Sequence, residues 1–290
     1  GRFATSDFGS MFSCVFKGAG ATIPKGICVR SGNKSACFDP ELCAFVIGWQ
    51  DGFIRLNDNR HGFMGGGQLV GKVLGTITKG DFSQRDYLGF YRHGNGVLFS
   101  YSLKGRRYLS TMEAEHQEHE KLAHLTKGGP AQWPQWIETQ GKLGTQQPFA
   151  TDTIELPFKN PYGTLFFITA HDFFADGSAA IATMTGEVWL VKGIDEKLEK
   201  VRWKRFATGL NQPLGMKIVK DKLFVLGRDQ ITCLHDLNGD DEADFYECVT
   251  NAMQTSPGGH DFIVGLETDK EGRWYFASGN QGVCRITGRD

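Results

Sequence analysis

The segment Asp236-Leu-Asn-Gly-Asp-Asp-Glu-Ala-Asp-Phe-Tyr-Glu247 places side-chain oxygens at positions 1, 3, 5, 9 and 12, on Asp236, Asn238, Asp240, Asp244 and Glu247. A hard cation such as calcium takes about six to eight oxygen ligands, and alternation of this kind turns every second side chain inward. The spacing matches an EF-hand loop except at position 6, where Asp241 stands in place of glycine. The run Gln230–Leu234 before it reads as a strand rather than a helix, so the expected object is a structural calcium loop between strands. The other reading is a polar turn joining two strand units, with Asn238-Gly239 supplying the positive φ values.

Two histidines stand in similar surroundings, Ala170-His171-Asp172-Phe173 and Gly259-His260-Asp261-Phe262. An imidazole titrates near neutrality, which suits a general base acting on a substrate hydroxyl. A His-Asp pair at a strand start also serves as a turn cap, and both readings stand for each. Other constellations fail on spacing. His119-Glu-Lys-Leu-Ala-His124 is one residue too long for HExxH, and His116, His119 and His124 are expected on an exposed polar helix face. Gly65-Gly-Gly67 lacks the third spaced glycine of a dinucleotide fingerprint. There is no Walker loop and no GxSxG elbow.

The elements that must position these groups are mostly strands. Val97–Leu103 alternates its side chains between two faces, Lys104-Gly105 turns it, and Arg107–Thr111 returns, which predicts a hairpin. Ala44–Trp49 is a further strand, and residues 1–111 are expected to form an all-β, sandwich-like domain. Residues 112–150 change character: Met112–Leu125 reads as a helix, leading into a connector that packs through Trp133 and Trp136. From about Asn160 a grammar of apolar strand, tight turn, apolar strand, tight turn and third strand occurs three times. Equivalent positions fall 43 residues apart (Ile181 to Phe224) and 51 apart (Phe224 to Tyr275). That is blade spacing, so residues 151–290 are expected to form about three blades of a β-propeller. Blades bury their faces only by stacking around an axis, and three do not close a ring. The expectation is an incomplete part of a six-bladed ring, in the N-terminal part of a longer protein.

Composition sets the outer bounds. The chain has 290 residues, 40% hydrophobic and 22% charged, with 38 glycines and a formal net charge of −1. A near-neutral balance argues against a nucleic-acid partner, which needs a basic face. The basic runs Lys104–Arg107 and Lys200–Arg205 are short and read as solvated strand edges. No run approaches the ~20 apolar residues of a transmembrane helix. Seven cysteines form no CxxC or CxxCH, which excludes zinc-ribbon and haem-attachment readings; Cys14, Cys28, Cys37 and Cys43 are either two local disulfides or buried thiols.

Two stretches carry a family resemblance. Asn211-Gln-Pro-Leu-Gly215 through Asp244, and His171–Val191, resemble secreted proteins of Planctomycetes and Verrucomicrobia described as membrane-bound dehydrogenases, whose propeller is like that of soluble glucose/sorbosone dehydrogenases. Asp7-Phe-Gly-Ser10 and Gly52–Leu56 resemble the uncharacterised domain that precedes that propeller. The resemblance implies a periplasmic or extracellular quinoprotein oxidoreductase using pyrroloquinoline quinone (PQQ) on a sugar or related alcohol. It further implies a c-type cytochrome domain or other electron acceptor as partner. His260, followed by Gly272–Asn280, matches the family's base, with Asn280 where an aspartate is usual and His171 as the second candidate. The alternative is a non-catalytic, calcium-stabilised propeller that binds glycans or proteins.

Overall fold

A computed structural model describes residues 6–56, 66–76, 82–258 and 261–287. The fold is mainly β. Strands β1 (Met11–Gly18), β2 (Ala21–Ser31), β3 (Lys34–Asp39), β4 (Ala44–Gln50), β5 (Ile54–Arg55), β6 (Gly67–Leu69) and β7 (Lys72–Thr76) form one seven-stranded sheet. Its order is β5-β6-β1-β2-β3-β4-β7, and β1–β6 is its parallel pair. Consecutive hairpins build β1 to β4, as alternating apolar runs joined by short polar turns should.

The next strands leave this sheet. β8 (Arg85–His93), β9 (Gly96–Leu103), β10 (Arg106–Ser110) and β11 (Gln117–Glu118) continue into β22 (Phe245–Thr250), β21 (Ile231–His235), β20 (Lys222–Leu226) and β19 (Gly215–Val219). The eight-stranded order is β11-β10-β9-β8-β22-β21-β20-β19. The segments 1–111 and 151–290 therefore share one sheet. They also share a core: Phe38 of β3 stacks on Phe99 of β9 at 3.8 Å, in one apolar cluster with Ala180, Met216 and Tyr246. The seam is the pairing of β8 with β22, at Tyr91–Phe245, Phe90–Tyr246 and Gly89–Glu247.

Two further sheets complete the chain's second half. β12 (Trp136–Thr139), β18 (Val201–Ala207), β17 (Val188–Lys192), β16 (Ala179–Thr183) and β15 (Ile168–Phe173) form the first. β23 (Ile263–Thr268), β24 (Trp274–Ser278) and β25 (Gly282–Ile286) form the second. A small hairpin of β13 (Gly141–Lys142) and β14 (Thr153–Ile154) lies in the connector. The first strands of the three meanders, β15, β19 and β23, lie side by side, and among the described residues the sheets do not close into a ring. The meander turns follow from sequence: Lys220 and Asp221, with φ of 51° and 58°, make the two-residue turn whose twist suits a hairpin.

Three expectations are corrected. Met112–Leu125 is not one helix: only His119–Leu122 (α1) is α-helical, followed by a 3₁₀ turn at Ala123–Thr126. Thr111 Oγ1 accepts the amides of Glu113 and Ala114 at 3.2 and 3.1 Å, and Ser110 Oγ accepts that of His116 at 2.9 Å. These local bonds compete with a helix ladder. His116 accordingly lies off any helix, stacked on Tyr108 at 4.1 Å. Second, Lys200–Arg205 is not a solvated edge, because β12 covers β18 and leaves Lys204 and Arg205 buried. Third, His171-Asp172 does not stand at a strand start: both residues lie within β15 (Ile168–Phe173).

All seven cysteines are thiols, six of them buried. Cys28 sits opposite Cys37 across β2–β3, in one buried cluster with Cys14, and burial pushes its pKa well up.

Candidate functional site

The acidic loop begins where β21 ends. Asp236 Oδ1 accepts the amides of Asn238, Gly239 and Asp240 at 3.2, 2.7 and 3.3 Å, and Oδ2 accepts that of Asp241 at 2.9 Å. Asp241 has φ of 61°, so it takes the left-handed conformation for which position 6 usually holds glycine. Asp244 Oδ2 accepts Leu237 N at 2.8 Å and Oδ1 accepts Gly129 N at 3.1 Å, while Asn238 Nδ2 donates to the Gly129 carbonyl at 2.7 Å. Burial, with Asp240 and Asp236 nearby, raises the pKa of Asp244. Next to it Glu242 accepts the amides of Gln132 and Trp133, each at 2.9 Å. The loop thus clasps the connector at residues 129–133. Asp240 Oδ1 is buried without a hydrogen-bond partner, an oxygen that a cation would satisfy.

The five expected calcium ligands are not gathered together. Glu247 belongs to β22, and alternation along that strand turns its carboxylate away from the loop to His235 Nε2, at 2.8 Å. Asp236, Asn238, Asp240 and Asp244 remain on the loop, where the Asp236, Asn238 and Asp244 oxygens accept backbone amides. Among the described residues, the titratable donors that do converge are Cys233, His235 and Glu247, whose ligand atoms lie within 4.8 Å of one another.

The expected catalytic residues are placed apart from the loop. His171 is exposed on β15 with its ring edge-on to Phe173. Its neighbour Asp172 accepts the Ile218 amide at 2.7 Å, tying β15 to β19. His260 lies outside the described residues. Asp261 beside it pairs with the buried Arg228 and accepts the Ser256 amide at 2.8 Å. Each aspartate of the repeated His-Asp-Phe sequence is thus a brace between neighbouring sheets. Asn280 is exposed in the turn between β24 and β25.

A polar cleft of about 530 Å³, lined by residues of β2, the β3–β4 turn, β8, β9 and the end of β22, opens at the seam. Lys25 Nζ donates to Glu41 Oε1 at 3.0 Å and to the Asn251 carbonyl at 2.7 Å. Arg85 is held by the Cys43 carbonyl at 3.1 Å and by the faces of Phe82 and Tyr101, and Ser102 Oγ donates to Asp86 at 3.2 Å. The Tyr87 hydroxyl is pushed well up in pKa by burial. No sequence motif marked this cleft, because its residues come from segments about 225 positions apart.

A family model described as a domain of unknown function, DUF6797, matches residues 36–110, from within β3 to the end of β10. No curated protein matches. Solved structures similar to this chain include the extracellular domain of a hybrid two-component system of B. thetaiotaomicron, at 11% identity and a TM-score of 0.32, and PorZ, a bacterial surface component of the type-IX secretion system of Porphyromonas gingivalis, at 9% and 0.28. The matches cover 99% and 95% of this chain, which spans only 40% and 51% of those chains. No helix among the described residues is long and apolar enough to cross a membrane.

Proposed function

We propose that this chain is a non-catalytic, propeller-type module of a periplasmic or extracellular protein, and that it binds carbohydrate in the polar cleft at the seam. The observation that carries this reading is the cleft's chemistry: Lys25 and Arg85 donate, Glu41 and Asp86 accept, and Ser102 does both. A sugar hydroxyl is donor and acceptor at once, so mixed donors and acceptors on a largely pre-formed cleft suit a neutral polyhydroxyl ligand better than an ion of either sign. The side-by-side β15, β19 and β23 support the propeller arrangement, as the inner strands of three blades. Calcium is the cation of the acidic loop on this reading, held by Asp236, Asn238, Asp240 and Asp244 as a brace on the connector.

Calorimetric titration of the full chain with a panel of neutral mono- and oligosaccharides tests the proposal. Saturable binding that falls at least tenfold in the Glu41→Ala/Asp86→Ala double variant is the expected result. An unchanged affinity in that variant, or no binding across the panel, would overturn it. The dehydrogenase implied by the resemblance instead places its base at His260 and requires PQQ; quinone binding with sugar-dependent reduction of an artificial acceptor would favour that activity.

A further inference from the structure

We propose that Cys233, His235 and Glu247 form a binding site for a borderline-soft divalent metal ion, of which zinc is the type. The three residues come from two paired strands. Cys233 and His235 are two apart on β21 and so share a face, and Glu247 lies directly opposite Cys233 on β22. The sheet therefore points a sulfur, a nitrogen and an oxygen at one place, with their ligand atoms within 4.8 Å of one another. In a tetrahedral zinc site, with bonds of about 2.3 Å to sulfur and 2.0–2.2 Å to nitrogen and oxygen, neighbouring donors stand at comparable spacings.

The surroundings favour such a site over an incidental pair. The His235 imidazole is stacked against Phe245 at 5.5 Å, which holds its Nε2 toward Glu247. On either side, Phe224 is the cross-strand partner of the buried Cys233, while Gly89, opposite Glu247, adds no side chain to that face. His235 and Glu247 keep 24% and 39% of their side-chain surface, so an ion has a path in. Thiol and imidazole donors select zinc, cobalt or copper over calcium and magnesium. On binding, the Cys233 thiol releases its proton to solvent and coordinates as thiolate. His235 gives the Nε2 lone pair, Glu247 one carboxylate oxygen, and water fills the fourth position; no oxidation state changes. This site is separate from the calcium loop, although it takes from that loop's sequence pattern the glutamate at position 12.

Titration of the reduced full chain with Co²⁺, followed by back-titration with Zn²⁺, tests the proposal. The expected result is one Co²⁺ per chain with a thiolate-to-cobalt charge-transfer band, abolished by zinc. Cys233→Ser should remove the band, and Glu247→Gln and His235→Ala should each weaken binding at least tenfold. Since Cys233 is buried, the circular dichroism and melting of each variant are compared with wild type. Glu247→Gln, at a half-exposed position, supplies the decisive arm if Cys233→Ser unfolds. A band that survives Cys233→Ser, an affinity unchanged in Glu247→Gln, or a wild-type chain that binds neither ion would overturn the site.

Discussion

The Arg205 guanidinium meets the Glu187 carboxylate at 2.7 Å with both side chains fully withdrawn from solvent. Glu187 also accepts from the hydroxyls of Thr164, Thr183 and Thr185 at 2.6, 3.3 and 3.2 Å, and Arg205 lies over the rings of Trp133 and Tyr162. The pair pins the connector and the chain before β15 to the five-stranded sheet. Breaking a buried pair strands a charge and costs about 3–5 kcal/mol, whereas replacing both partners with apolar groups is often close to neutral. Glu187→Ala should therefore lose about that much in urea unfolding, while Glu187→Leu/Arg205→Met should lose distinctly less. Equal losses in the two variants would show that the charges are not what holds this junction.

Asp229 should make stability fall as pH rises. Burial lifts its pKa to about 7 from the usual 3.8, against the backbone amides of Asp229 and Gln230 and the charges of Lys25 and Arg228. Because the folded pKa lies above the unfolded one, this contribution is fully present below about pH 4 and is lost as pH rises to about 7. Urea midpoints measured between pH 4 and 8 should decline through that window in wild type and decline less in Asp229→Asn. Parallel profiles would refute the assignment.

Thiol reactivity should separate one cysteine from the rest. Cys14, Cys28, Cys37, Cys43, Cys233 and Cys248 are buried, and burial pushes Cys43 and Cys233 up to about 12. Reaction follows thiolate fraction and access. With a disulfide reagent at neutral pH, only Cys284 should react in the folded chain and all seven after denaturation. Rapid labelling of Cys28 in the native protein would contradict the packed thiol cluster.

Calcium binding should depend on Asp240 and not on Glu247. Titration calorimetry should give a heat in wild type that disappears in Asp240→Ala and persists in Glu247→Ala. Loss in both would return Glu247 to the loop's ligand set.

Gly89 should tolerate no side chain. Its φ is 123°, and a Cβ there would lie 2.1 Å from the Tyr246 carbonyl oxygen across the β8–β22 seam. Left-handed strain alone costs about 1–3 kcal/mol, and the clash adds to it. Gly89→Ala should lower the unfolding midpoint and increase amide exchange at Phe90 and Tyr246; unchanged exchange would mean that the seam yields without cost.

Strands and tight turns were legible in the sequence because they are local: side-chain alternation fixes which face of a hairpin is apolar, and Lys220-Asp221 or Lys104-Gly105 fixes where it reverses. The same local logic marked a polar turn in the loop that begins at Asp236. Pairing between distant segments follows no local rule. Only the tertiary structure joins β8 to β22, covers β18 with β12 so that Lys204 and Arg205 are buried, and draws a polar cleft from Lys25, Arg85 and Asn251. Glu247 shows the physical reason: counted along a loop it is the twelfth ligand position, but in a strand each step of one residue reverses the side-chain direction. Once β22 pairs with β21 in its observed register, the carboxylate stands beside Cys233 and His235.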